Sequence, residues 1–146
     1  MATTRALEDF EIKAIFDSIS GRYAVRDRAM LVIGIAGALR ATELVSLNVG
    51  DVYDGKQVRT YVDLRPETTK FKKERTIRLG RDVRRVIGEF IDWKRENRES
   101  TKPSYPLFRS QKGGCMARQS FFAIVKQIFL RAGVNQSPHA LRKTGA

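Results

Sequence analysis

The sequence predicts an α+β fold that is mainly α, with helices arranged around one small antiparallel sheet. Three stretches carry apolar residues at helical spacing, and an eleven-residue run from Ala29 to Leu39 is apolar on all sides. Only the middle of the chain holds two short β-type runs, separated by a polar loop. Period and length together separate helix from strand.

Ile12, Ile15, Phe16 and Ile19 follow the i, i+3, i+4, i+7 pattern, so residues 8–20 form an amphipathic helix ended by Gly21. Residues 26–38 are apolar all round after Arg28, the mark of a helix buried on most sides. Arg40 to Leu47 reads as a short helix broken near Gly50, and Asp54-Gly55 as a turn. Val58, Tyr61, Val62 and Leu64 make one strand, and Thr76, Ile77 and Leu79 a second. Pro66 to Lys72 joins them, which gives a hairpin with a basic tip. Val83, Val86, Ile87 and Phe90 mark a helix from Arg81 to about Asn97. Ser100 to Pro106 is a proline-bearing linker and Gly113-Gly114 a further loop. Phe121, Ile124, Val125 and Ile128 form the next stripe, closed by Gly133. Ser137 is a good N-cap and Pro138 suits the first helical position, so a last helix opens there.

The 146 residues, 42% apolar and 30% charged, fit one globular domain spanning 1–146 with a real core. The longest apolar run is too short to span a bilayer, so no membrane association is expected. Cys115 is alone, which excludes an internal disulfide and suits a reducing cytoplasm. One His and one Cys do not make a zinc site of the usual kind, and no metal or cofactor is expected. The net charge of +12 is unevenly spread. Residues 1–55 carry net −2, residues 56–85 +7, residues 86–100 −1, and residues 101–146 +8 with no acid at all. Two basic blocks around near-neutral segments point to a polyanion, with nucleic acid the leading class.

Four side chains have the chemistry of a phosphate site. Arg40 follows the apolar helix, where a charge near the core needs a partner, and Glu43 stands three residues on. Lys70 lies in the hairpin loop, from which it can reach a duplex and protonate a leaving oxygen. His139 and Arg142 share the face of the last helix, a proton-transfer group beside a forked cation at a positive helix end. Taken singly, each has a plainer reading: an Arg–Glu structural pair, a solvated hairpin-tip lysine, a structural histidine. Cys115 reads as inert, and Trp93 and the phenylalanines as core.

Their joint order is more specific. Gly37-Ala38-Leu39-Arg40-Ala41-Thr42-Glu43-Leu44 after an apolar helix, Lys70 in a hairpin ending Lys73-Glu74-Arg75, then His139-Ala140-Leu141-Arg142 at a helix start together resemble the tyrosine recombinase (phage integrase) family. The resemblance implies a catalytic-domain fold of that family. Arg40 corresponds to its first conserved arginine, Glu43 to the supporting acid, Lys70 to the hairpin lysine, His139 and Arg142 to its His-x-x-Arg motif. It also implies duplex DNA as partner, contacted by Lys72, Lys73, Arg75 and Lys143, with self-association or other recombinase subunits on the DNA. In the family a tyrosine attacks the scissile phosphodiester and leaves a 3′-phosphotyrosine, without a cofactor.

Two departures stand out. Lys143 occupies a place where the motif usually has a second histidine, and Tyr23, Tyr53, Tyr61 and Tyr105 all precede the motif, so none stands where the nucleophile is expected. The expectation is therefore an incomplete catalytic domain, truncated at the C-terminus, cytoplasmic or nucleoid-associated, that binds DNA but does not cleave it alone. The alternatives are a non-enzymatic degenerate integrase acting as site occupant or inhibitor, and an unrelated basic module for RNA or another polyanion.

Overall fold

The computed structural model describes residues 5–64 and 75–145. Helix α1 (Asp9–Asp17) begins where the Glu11 carboxylate accepts the Glu8 N–H at 2.9 Å and pairs with Arg5 at 2.7 Å. An acid in the first turn offsets the unpaired amides there. The helix stops three residues short of the expected end, because Ser18 donates its hydroxyl to the Ile15 carbonyl at 2.8 Å and closes the last turn. Ile15 and Ile19 still reach the core, as the stripe requires.

Helix α2 (Ala24–Ala36) is the central element, packed on the later helices α5 and α7. It starts and ends two residues earlier than the apolar run suggests. Its end is a tight reversal: Leu39 N–H bonds Gly34 O at 3.0 Å and Ala38 N–H bonds Ile35 O at 3.1 Å, with Ala38 in the left-handed region at φ 49°. This double closure usually carries glycine at the left-handed position, so an alanine here costs about 1 kcal/mol. Its two carbonyls prove important below.

The expected short helix over 40–47 is α3 (Ala41–Val45), and a second helix, α4 (Val49–Val52), runs through Gly50, where the sequence predicts a break. The break lies at Asn48, whose N–H donates to Asp51 at 2.7 Å and starts α4. Strands β1 (Tyr61–Leu64) and β2 (Arg75–Arg78) pair antiparallel, Tyr61 opposite Arg78 and Leu64 opposite Arg75. Val62, Leu64 and Ile77 face the core. Val58 falls outside β1, in a single bridge with Tyr53, and Leu79 lies just past β2 with its N–H on Thr60 O at 2.7 Å. The joining loop, Pro66 to Lys72, is outside the described residues.

Helices α5 (Arg81–Glu96) and α6 (Arg118–Ala132) match their apolar stripes, and Gly133 closes α6 at φ 74°. Phe90 of α5 stacks on Phe108 at 5.5 Å in the centre of the core. Helix α7 (Ala140–Gly145) begins later than expected. Ala140 and Leu141 bond the carbonyls of Ser137 and Pro138, three residues back, so Ser137 to His139 form a tighter lead-in turn. Ser137 caps that turn and not α7 itself, its hydroxyl accepting the His139 N–H at 3.3 Å. Helix α1 lies on α6, α3 on α6, and α4 on β1, so α3, α6 and α7 converge at one end of α2.

Candidate active site

The reversal after α2 delivers Arg40 to the start of α3. Its N–H donates to Glu43 Oε1 at 2.8 Å, so the buried Glu43 fixes the backbone of Arg40. The Arg40–Glu43 side-chain pair that the spacing suggests is not the contact made. The cation beside Glu43 is Arg75, whose Nη1 lies 3.7 Å from Oε2. The other Arg75 nitrogen, Nη2, donates to the carbonyl of Gly37 at 2.7 Å and to that of Ala38 at 3.3 Å. Arg75, expected on DNA, is therefore turned into the protein.

From the opposite side, the lead-in turn and α7 bring His139 and Arg142. The imidazole stands edge-on to Phe122 of α6, with centroids 5.0 Å apart and planes at 61°. That contact orients the ring without using either nitrogen. Arg142 has its Nε buried with no hydrogen-bond partner, a guanidinium with donor capacity unspent.

Arg40, Phe122, His139 and Arg142 line one cleft of about 310 Å³. Among the described residues its basic lining is Arg40, Arg118, His139, Arg142 and Lys143, its apolar walls include Leu39, Leu44 and Phe121, and no carboxylate lines it. A small cavity with converging guanidinium forks and no acid is an anion receptor, suited to a tetrahedral phosphoryl group. Arg40 and His139 are far apart in sequence, and the fold alone joins them. Lys70, Lys72 and Lys73 are outside the described residues. None of Tyr23, Tyr53, Tyr61 and Tyr105 lines the cleft: Tyr23 packs on Trp93, Tyr53 accepts a bond from Arg95, Tyr61 is exposed on β1, and Tyr105 lies against Lys94. Cys115 is exposed, and among the described residues no three His, Cys, Asp or Glu side chains gather as a metal site.

Two cleft residues were not anticipated. Arg118 opens α6, and no local pattern separates it from other surface arginines. Phe122 lies beside the apolar stripe of α6, and its contact with His139 depends on tertiary placement.

A mainly helical domain with one small antiparallel sheet and a basic cleft, without a carboxylate among the described residues, defines an α+β domain with the chemistry of an anion receptor. The phage integrase family model matches residues 5–146, and the chain belongs to that family. It is 34% identical over 121 residues to tyrosine recombinase XerD of Haemophilus ducreyi, a match covering 81% of this chain and 39% of that protein. Against XerD of Staphylococcus epidermidis it is 30% identical over 144 residues, covering 96% and 47%. The chain thus spans less than half the length of these relatives. The crystal structure of XerA recombinase shares the fold at TM-score 0.76 and 20% identity, covering 97% of this chain and 47% of that one. The lambda integrase catalytic core does so at TM-score 0.68 and 12% identity, covering 99% and 81%.

Proposed function

We propose that residues 1–146 are part of one recombinase catalytic domain, and that the cleft holds the scissile phosphate of duplex DNA during strand breakage and rejoining. The observation that supports this reading is the convergence of Arg40, His139 and Arg142 on one cleft that no carboxylate lines among the described residues, with the Arg142 Nε buried and unpartnered. In the reaction, the pentavalent transition state gathers charge on its non-bridging oxygens. Arg40 and Arg142 would bind those oxygens more tightly than in the ground state. Lys70 supplies the proton to the departing 5′ oxygen, and His139 exchanges a proton with the nucleophile or binds the phosphate. Arg118 and Lys143 hold the flanking backbone. Because bond energy is conserved in a protein–DNA ester, no external energy source is required.

Relatives of this fold include XerH bound to difH substrate and a lambda integrase tetramer bound to a Holliday junction. Duplex DNA and neighbouring recombinase subunits are the partners we infer, in the cytoplasm where the DNA lies. No tyrosine lines the cleft, which favours a chain that binds DNA without cleaving it alone, receiving the nucleophile from another recombinase chain or acting as a site occupant. The test is affinity for a labelled duplex and adduct formation on a nicked suicide substrate. Arg40→Ala and Arg142→Ala should each weaken binding about tenfold or more, the worth of one charged hydrogen-bonding group. The chain alone should form no adduct that survives denaturant. Unchanged affinity in both variants would remove the phosphate site, and an adduct from the pure chain would remove the non-cleaving reading.

A further inference from the structure

We propose that Arg75 is a positioning residue for the cleft and not a DNA contact: its guanidinium clamps β2 to the reversal after α2 and to Glu43, and so sets where Arg40 stands. This rests on the reading of the cleft as a phosphate site in which Arg40 takes part.

Three contacts from two parts of the chain converge on this one side chain. Nη2 takes the carbonyls of Gly37 and Ala38, and Nη1 faces Glu43 Oε2. The two carbonyls lie just past the C-terminus of α2, where the helix leaves acceptors unpaired and favours a cation. Ala38 holds the left-handed conformation, so the turn it forms needs support. Glu43 is fully enclosed, its side chain at 0% exposure, and has its other oxygen on the Arg40 N–H. Swinging Arg75 out to a phosphate would strip two carbonyls of a donor and leave a buried carboxylate without a counter-charge. A guanidinium can donate to both carbonyls from Nη2 while Nη1 stands as counter-charge 3.7 Å from Glu43 Oε2, because its nitrogens are fixed in a planar fork, which an ammonium cannot match. The chain Arg75, Glu43, Arg40 N–H therefore transmits the position of β2 to the cleft wall.

The experiment is a double-variant cycle on duplex DNA affinity, with amide hydrogen exchange at Arg40 as the second readout. Arg75→Ala should weaken binding about fivefold or more, and the same change made on Arg40→Ala should do almost nothing, since coupled residues are non-additive. Exchange of the Arg40 N–H should speed up in Arg75→Ala while amides of the α2 core keep their protection. Arg75→Lys, which retains the charge opposite Glu43, should recover part of the affinity and part of the protection, and it carries the cycle if Arg75→Ala does not fold. Multiplying effects of the two substitutions would assign Arg75 to the DNA and overturn the proposal. So would an Arg40 amide that exchanges normally in Arg75→Ala or Arg75→Lys. Unchanged affinity in Arg40→Ala itself would overturn the phosphate reading as well, which identifies that failure separately.

Discussion

Lys94 is the least comfortable side chain in the molecule. It has no solvent exposure, and its ammonium sits 5.1 Å from the Phe90 ring and 5.6 Å from that of Tyr105. It donates to Glu99 at 2.9 Å and to the Leu107 carbonyl at 2.8 Å, with Pro106 O farther off at 3.4 Å. These bonds fasten the proline-bearing segment, which reads as a mere linker in the sequence, onto α5. Removing one member of a buried pair strands the others, so Lys94→Met is expected to lower stability by about 3 kcal/mol in urea unfolding. Adding Glu99→Leu should restore most of that loss, since Arg109, the other partner of Glu99, is more than a third exposed on its side chain. Burial pushes the Lys94 ammonium below its ordinary value of 10.5, partly opposed by the bond to Glu99. The native protein then holds this proton less tightly than the unfolded chain does. Between the native pKa and 10.5 the unfolded state binds more protons, so the Lys94 contribution to stability rises with pH across that window. The stability difference between wild type and Lys94→Met should accordingly widen as the solution is made alkaline. A difference independent of pH would show that the lysine is not desolvated.

At the scale of elements, periodicity made the long helices legible, because a stripe such as Val83, Val86, Ile87 and Phe90 has one physical interpretation. Short elements were less so. Helix α4 starts on the Asn48–Asp51 contact and on N–H bonds from Val49 and Gly50 to the distant carbonyls of Tyr105 and Pro103, and the start of α7 is shifted by a turn that the Ser137-Pro138 cap signal does not resolve. What holds α7 is contact, not propensity: Thr144 accepts the Leu7 N–H at 2.8 Å, and Gly145 lies against the end of α2. A Cβ at Gly145 would collide with the Ile35 carbonyl and stand 3.1 Å from the Ala38 Cα, both backbone groups that do not yield. Gly145→Ala should therefore lift α7 and carry Arg142 off the cleft. The expected result is a loss of about 1–3 kcal/mol in thermal unfolding, the usual cost of overpacking, together with weaker duplex binding. Unchanged melting and unchanged affinity would show that α7 is not seated on α2.

The whole molecule brings together residues that the sequence separates, and this governs how far the site was legible. His139 stood out as the sole histidine, and Arg40 and Arg142 by their settings, one just after an apolar helix and the other three residues past His139. Which group holds which did not stand out. Glu43 spends itself on a backbone amide and on Arg75, and Arg118 enters only because α3, α6 and α7 meet. Pairings across elements have no local signature. The assembled cleft also changes what the +12 charge means, since part of it is concentrated in a cleft that no carboxylate lines among the described residues. Each phosphate neutralised releases counterions, so the logarithm of duplex affinity should fall against that of salt concentration. With Arg40 and Arg142 sharing the scissile phosphate and Arg118 and Lys143 each on a flanking one, the slope should be about −3 or steeper, and Arg118→Ala should make it shallower by about one. A titration from about 50 to 200 mM salt measures it. A flat slope would mean that the basic face is only solubilising. Tighter binding of single-stranded RNA than of duplex DNA would instead restore the polyanion-binding module that the charge alone allowed.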